Sequence, residues 1–221
     1  MKISKNIKLS KPHINTIIFY LLALILGGCF TVSLQPLYTE DDIIFEEKLL
    51  GKWCQQDDPN EPCLIWKFEK ANINDPNSIT EPSPKTYQLT VMSEDPNDTA
   101  KGSFDAVLLK LDNKLFLDLH PNKLPCQTTD TDSCQWEFNI PFFVPVHSFA
   151  KVFITGDILE LRFLSSYDLK KFLKENPKAI NHHIVDDEIV LTEQTLALQQ
   201  FVIKHADNND LFSLDFELPR K

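Results

Sequence analysis

The sequence predicts a mainly β fold with two late helices, an α+β arrangement whose strands form an antiparallel barrel or a strongly curved sheet. Three observations carry this expectation. Segments in which apolar and polar residues alternate recur from about residue 51 to residue 163, and turn-forming residues separate them. Helical spacing of apolar residues is found only after Ser165, and strands followed by helices point to helices packed on a sheet.

Taken in order, Gly51-Lys52-Trp53-Cys54 is a short first strand. In the next, Leu64, Trp66 and Phe68 point one way while Lys67 and Glu69 point the other, the pattern of a half-buried strand. Tyr87, Leu89 and Val91 alternate with Gln88 and Thr90 in the same manner. Phe104 to His120 reads as a hairpin turning at Asp112-Asn113. Phe149 to Ser165 reads as another, turning at Gly156-Asp157, with Leu159, Leu161 and Phe163 set against Glu160 and Arg162. The loops repeat Asp-Pro-Asn at Asp58, Asp75 and Asp95, which is turn-initiating chemistry.

The first helix starts at Ser165, whose hydroxyl caps it with Asp168 completing a capping box, and stops at Asn176-Pro177. The second runs from Thr192 to about Ala206, with Leu198, Phe201, Val202 and His205 on one face. A final strand follows, in which Phe212, Leu214, Phe216 and Leu218 alternate with polar residues up to Pro219. That makes about eight strands. Between the helices, His182-His183 with Asp186, Asp187 and Glu188 reads as a solvated connector, because adjacent histidines on extended chain face opposite ways.

Ahead of this domain stands a different kind of segment. Lys2, Lys5, Lys8 and Lys11 occur without an acid in residues 1–16, and an uncharged apolar run follows from Ile17 to Gly28. That run is short for a bilayer-spanning helix, which needs roughly 20 apolar residues. A basic start, a short apolar core and small residues before a cut site make a secretory signal peptide. Leu26-Gly27-Gly28-Cys29 resembles the lipobox of bacterial lipoproteins. The resemblance implies cleavage before Cys29, a diacylglycerol thioether on that sulfur, and a protein held at the cell envelope and facing the periplasm. Phe30 stands where that family places Asp to retain a lipoprotein in the inner membrane, so the outer membrane is favoured. Residues 29–50 then read as the lipidated Cys and a tether, with a short helical lead-in from Asp41, and residues 51–221 as a single domain.

The whole chain has a net charge of −10; because its first 28 residues hold four lysines and no acid, the remaining 193 carry −14. Such acidity speaks against nucleic-acid binding, which needs a basic footprint. Export places Cys54, Cys63, Cys126 and Cys134 in an oxidising compartment, so disulfides are expected, and sequence proximity favours Cys54–Cys63 and Cys126–Cys134. Their spacing does not match a zinc site, the acidic loops lack the pattern of a calcium loop, and the three glycines after residue 28 are not clustered as phosphate-binding loops require. No metal or cofactor is therefore expected.

Gly51-Lys52-Trp53 resembles the Gly-x-Trp that opens lipocalins, and Arg162 would be the arginine that closes over the tryptophan. Trp53, Trp66, His147 and Arg162 are on this reading the residues of a small apolar pocket inside the barrel. Leu37-Tyr38-Thr39, Leu49 to Trp53, Leu191-Thr192 and Leu198-Gln199-Gln200-Phe201 also resemble a set of bacterial lipoproteins with no assigned activity. The functions consistent with these signals are a lipid-anchored module binding an apolar small molecule or a protein partner, or a structural and assembly protein of the envelope with an apolar patch near Pro141 to Val146. A hydrolase is the remaining alternative and requires His147 or His182 to meet a carboxylate in a cleft.

Overall fold

The structure, a computed structural model, describes residues 30–221 apart from 57, 59–60, 73, 75–77, 79, 81–82, 99–100, 124–143 and 187. Eight strands form one antiparallel sheet: β2 (Gly51–Gln55), β3 (Leu64–Lys70), β4 (Tyr87–Ser93), β5 (Lys101–Leu111), β6 (Lys114–Pro121), β7 (Ser148–Thr155), β8 (Ile158–Phe163) and β11 (Leu214–Pro219). They follow in chain order around the sheet, with β11 beside β8. The sheet curls until β2 and β11 meet at a bridge between Trp53 and Arg220, where Lys221 N–H also donates to the Lys52 carbonyl at 2.9 Å. The result is an antiparallel barrel closed but for a short seam, as the alternating segments predict.

Turn chemistry sets the hairpin registers. Asp112 and Asn113 take φ of 45° and 62°, the left-handed pair of a two-residue hairpin turn. Gly156 takes φ of 59° in the β7–β8 turn, where a side chain would be strained. Cys54 and Cys63 form the expected disulfide across the β2–β3 connection. The expected Cys126–Cys134 pair lies outside the described residues, as do Leu26, Gly27, Gly28 and Cys29.

Two apolar cores share the barrel wall. Ala106 and Leu108 of β5 point inward to join Trp53, Phe68, Leu117 and Leu161, while Leu109 and Leu111 point outward to join Phe116, Phe149 and Phe212. At about 1.5–3 kcal/mol per fully buried apolar side chain, each core is a major share of the driving force. The outer core is roofed by α1 (Ser166–Glu175) and α2 (Thr195–His205), which contribute Leu169, Leu173, Leu198 and Val202. Ser165 caps α1 as expected, accepting from Asp168 N–H at 3.2 Å. Lys151, buried on the outward face of β7, donates to the Ala206 carbonyl at 2.6 Å, placing a cation at the negative end of α2.

The remaining strands make a second, three-stranded sheet in the order β1 (Val32–Ser33), β10 (Glu188–Leu191), β9 (His182–Val185). It corrects three expectations. The His182-His183 segment is a strand paired with β10, its polar residues having hidden the pattern. The second helix begins at Thr195 and not Thr192, because Leu191 belongs to β10. Residues 30–50 are not a tether. Val32 and Ser33 pair in parallel with Val190 and Leu191, Leu37 is fully buried, and the helical lead-in is two separate 3-10 turns, Glu40–Asp42 and Glu47–Leu49. The final strand likewise begins at Leu214, with Phe212 in the outer core.

Candidate functional site

The barrel interior is where the sequence places a pocket. Trp53 is fully buried and its Nε1–H donates to the Leu49 carbonyl at 2.9 Å. The guanidinium of Arg220 lies 4.1 Å from its ring centroid and donates to the Leu50 and Lys48 carbonyls at 2.9 and 2.6 Å. One end of the barrel is thereby shut by the turn preceding β2. Tyr87 helps there: its hydroxyl donates to the Glu46 carbonyl at 3.0 Å and its ring stacks on Phe45 at 4.7 Å. Burial pushes the Tyr87 hydroxyl up to about 12.

At the other end, Trp66 reaches across to Phe163 and Phe216, with centroids 6.5 and 5.9 Å apart. Phe30 closes over them, 4.7 Å from Phe163 and 6.2 Å from Phe216. Aromatic rings from opposite parts of the wall meet on the axis, so the inward residues pack against each other. Of the four residues expected to line a pocket, Trp53 and Trp66 are inside. Arg162 is on the outer face of β8, paired with Glu160 and Asp215 (3.2 Å) and lying over Phe153. Its strand position forces this, since Leu161 and Phe163 take the inward face. The arginine over the tryptophan is Arg220.

His147, also outside, belongs to a polar cluster on the outer face of β5–β7. Its Nδ1 is 2.7 Å from Asp118 Oδ1, and the carboxylate, 1% exposed, accepts the Leu37 N–H on Oδ2 at 2.7 Å. The His120 ring lies 4.4 Å from that of His147 and Tyr38 lies 6.5 Å away. Asp105, opposite His120 across the β5–β6 pair, accepts from Asn122 Nδ2 at 2.9 Å and from the Thr80 hydroxyl. Burial, then the Asp118 and Asp105 carboxylates, pushes the Tyr38 hydroxyl up to about 12. Burial and then His147 lower the His120 pKa against the opposing pull of the two carboxylates.

The Asp118–His147 pair satisfies one requirement of the hydrolase alternative, an imidazole oriented by a buried carboxylate. Among the described residues, no hydroxyl or thiol hydrogen-bonds to His147. His182 meets the Ile180 carbonyl at 2.9 Å and not a carboxylate. What the cluster does visibly is fasten the chain after Phe30. Ser33 and His147 exchange two backbone hydrogen bonds at 2.8 Å, and Gln199 Nε2 donates to the Leu37 carbonyl at 2.9 Å from the α2 side.

A folded pKa below the unfolded one means that the unfolded chain binds the proton first. The share of stability that His120 supplies by staying neutral is therefore present above about pH 6.5 and lost as the pH falls below it. His205, lowered by burial and then by Lys204, adds a slope of the same sign. Urea midpoints between about pH 7.5 and 5.5 should consequently fall less steeply for His120→Gln than for the parent. Equal slopes would remove His120 from the acid response.

A shallow groove of about 250 Å³ lies beside α2, lined by Ile180, Glu193, Ala197, Gln200, Phe201 and Lys204 among others. It holds neither tryptophan nor the Asp118 cluster. Among the described residues no three His, Cys, Asp or Glu side chains are placed to hold a metal, and no helix is long and apolar enough to cross a membrane. Sequence reasoning missed Phe30, Asp118, His120 and Arg220. Of these only Asp118 carries a signal, a lone carboxylate in the apolar run Phe116-Leu117-Asp118-Leu119. Compared with protein-family models, curated proteins and solved structures, the chain matches none.

Proposed function

We propose that this chain is a lipid-anchored protein of the bacterial envelope, facing the periplasm, that binds another envelope protein on its outer surface. The observation supporting a protein over a small apolar ligand is the barrel axis, where Trp66, Phe163, Phe216 and Phe30 occupy the space a ligand would take. The anchor rests on the lipobox ending in Cys29, and the outer membrane on Phe30 following it. The Asp118–His147 pair serves on this reading as a fastening.

The surface best suited to a partner is the outer edge of β9. Its only strand neighbour among the described residues is β10, and Ile184 and Val185 are 56% and 55% exposed. Tyr167, 77% exposed, follows Ser166, whose hydroxyl donates at 3.0 Å to Glu188, the cross-strand partner of Val185. An unpaired edge with apolar side chains is what an extended segment adds to, its backbone supplying hydrogen bonds and its side chains the selectivity.

A photo-crosslinking amino acid at Ile184 in growing cells should give one discrete heavier adduct. Val185→Lys should suppress it without moving the thermal midpoint, since that side chain is exposed. A ladder of self-adducts would indicate association of copies in place of a separate partner, and no adduct at all would remove the edge as a binding surface.

A further inference from the structure

We infer that the barrel end plugged by Phe30 is the end turned toward the bilayer, with no free linker between the acylated residue and the folded domain. The inference rests on lipidation of Cys29 as proposed above and adds to it an orientation. Phe30 bridges to Ser165 and packs on Phe163 and Phe216, and Thr31 N–H donates to the Leu164 carbonyl at 3.0 Å. The docked path continues without a break. Leu34 N–H donates to the Leu191 carbonyl at 3.0 Å, Thr195 Oγ1 donates to the Pro36 carbonyl at 2.9 Å, and Leu37 is held by Asp118. Only one peptide step, about 3.8 Å between Cα atoms, separates Phe30 from Cys29. A thioether on Cys29 therefore starts its lipid chains at the barrel rim.

The antiparallel register identifies that rim. Phe163 ends β8 beside Leu214 at the start of β11, and carrying the pairing around the sheet places Gln55, Leu64, Ser93, Lys101, Pro121 and Ser148 at the same end. The Asp112-Asn113 and Gly156-Asp157 turns are at the opposite end. The 11 residues of β5, at ~3.3 Å each and tilted by ~40°, separate the two ends by roughly 28 Å. The membrane-facing connections carry Asp58, Glu61, Glu94, Asp95 and Asp98. Acidic loops gain nothing from anionic head groups, so the covalent chain, not surface charge, holds this end down.

The test places a fluorophore, through a ketone-bearing amino acid, at exposed Asn97 in the 94–100 connection or at exposed Thr155 near the opposite end. The full lipidated chain is reconstituted in phosphatidylcholine vesicles carrying a head-group nitroxide quencher. Quenching at position 97 is expected to exceed that at 155 several-fold. Inserting ten Gly/Ser residues between Cys29 and Phe30, a coil of roughly 18 Å, should erase most of the difference. Equal quenching at the two positions in the unaltered chain would overturn the orientation while leaving the anchor standing. If mass spectrometry finds no acyl group on Cys29, both the anchor and the orientation fall.

Discussion

Trp53→Ala is expected to lower the unfolding free energy by about 3–5 kcal/mol, the range for truncating a large buried aromatic. The site gives reason to expect the upper half of that range. Trp53 fills the closed end of the barrel, forms the bridge with Arg220 at the seam, and ties the turn at Glu47–Leu49 to the wall through its indole N–H. Truncation opens a void between Leu49 and Arg220 and leaves the Leu49 carbonyl without its indole donor. Trp53→Phe keeps most of the ring and loses the hydrogen bond, so it should cost about 1–2 kcal/mol. A double-mutant cycle with Arg220→Met, which keeps an apolar stem over the ring, should return a coupling of about 0.5–1 kcal/mol, the range for a cation–π contact whose cation is exposed to solvent. Urea titrations followed by far-ultraviolet circular dichroism measure all three, since the signal does not depend on the residue removed. A Trp53→Ala cost below about 1 kcal/mol would mean that the seam is held elsewhere.

Much of the barrel was legible because its determinants are local. The β5–β6 and β7–β8 hairpins are each written in alternation plus a turn pair, and the positive φ of Asp112, Asn113 and Gly156 is what those residue types are for. The Ser165 cap and the stop at Asn176 are equally local. The small sheet was not legible. β1 has two residues and no period to detect, and β9 exposes most of both its faces, so neither contrasts with a loop.

The site was harder still, because its contacts join residues far apart in the chain. Nothing near Arg220 says that it covers Trp53, and the lipocalin-like opening placed that role on Arg162, whose strand parity points it outward. Reading residues 30–50 as a tether failed for a related reason. Most of what holds them is backbone hydrogen bonding to distant strands, which leaves no pattern in side-chain chemistry. Phe30 is informative only once Phe163 and Phe216 are seen beneath it.

Asp118→Ala should cost about 2–4 kcal/mol and should do so unevenly across the molecule. The carboxylate accepts two hydrogen bonds at 2.7 Å, from Leu37 N–H and from His147, and both donors are left unsatisfied without it. Leu37 is fully buried, so its N–H has no water to turn to once the carboxylate is gone. The segment from Ser33 to Asp42 should therefore open more easily while β3 and β4, across the barrel, keep their protection. In hydrogen exchange, amides of that segment should speed up roughly a hundredfold for about 3 kcal/mol of lost local stability. Asp118→Asn retains an acceptor for one of the two donors and should give about half the cost. Unchanged exchange from Ser33 to Asp42 in Asp118→Ala would show that β1 pairing and the Thr195 and Gln199 contacts hold the segment without the carboxylate. A uniform acceleration over the whole barrel would instead make Asp118 a general core residue.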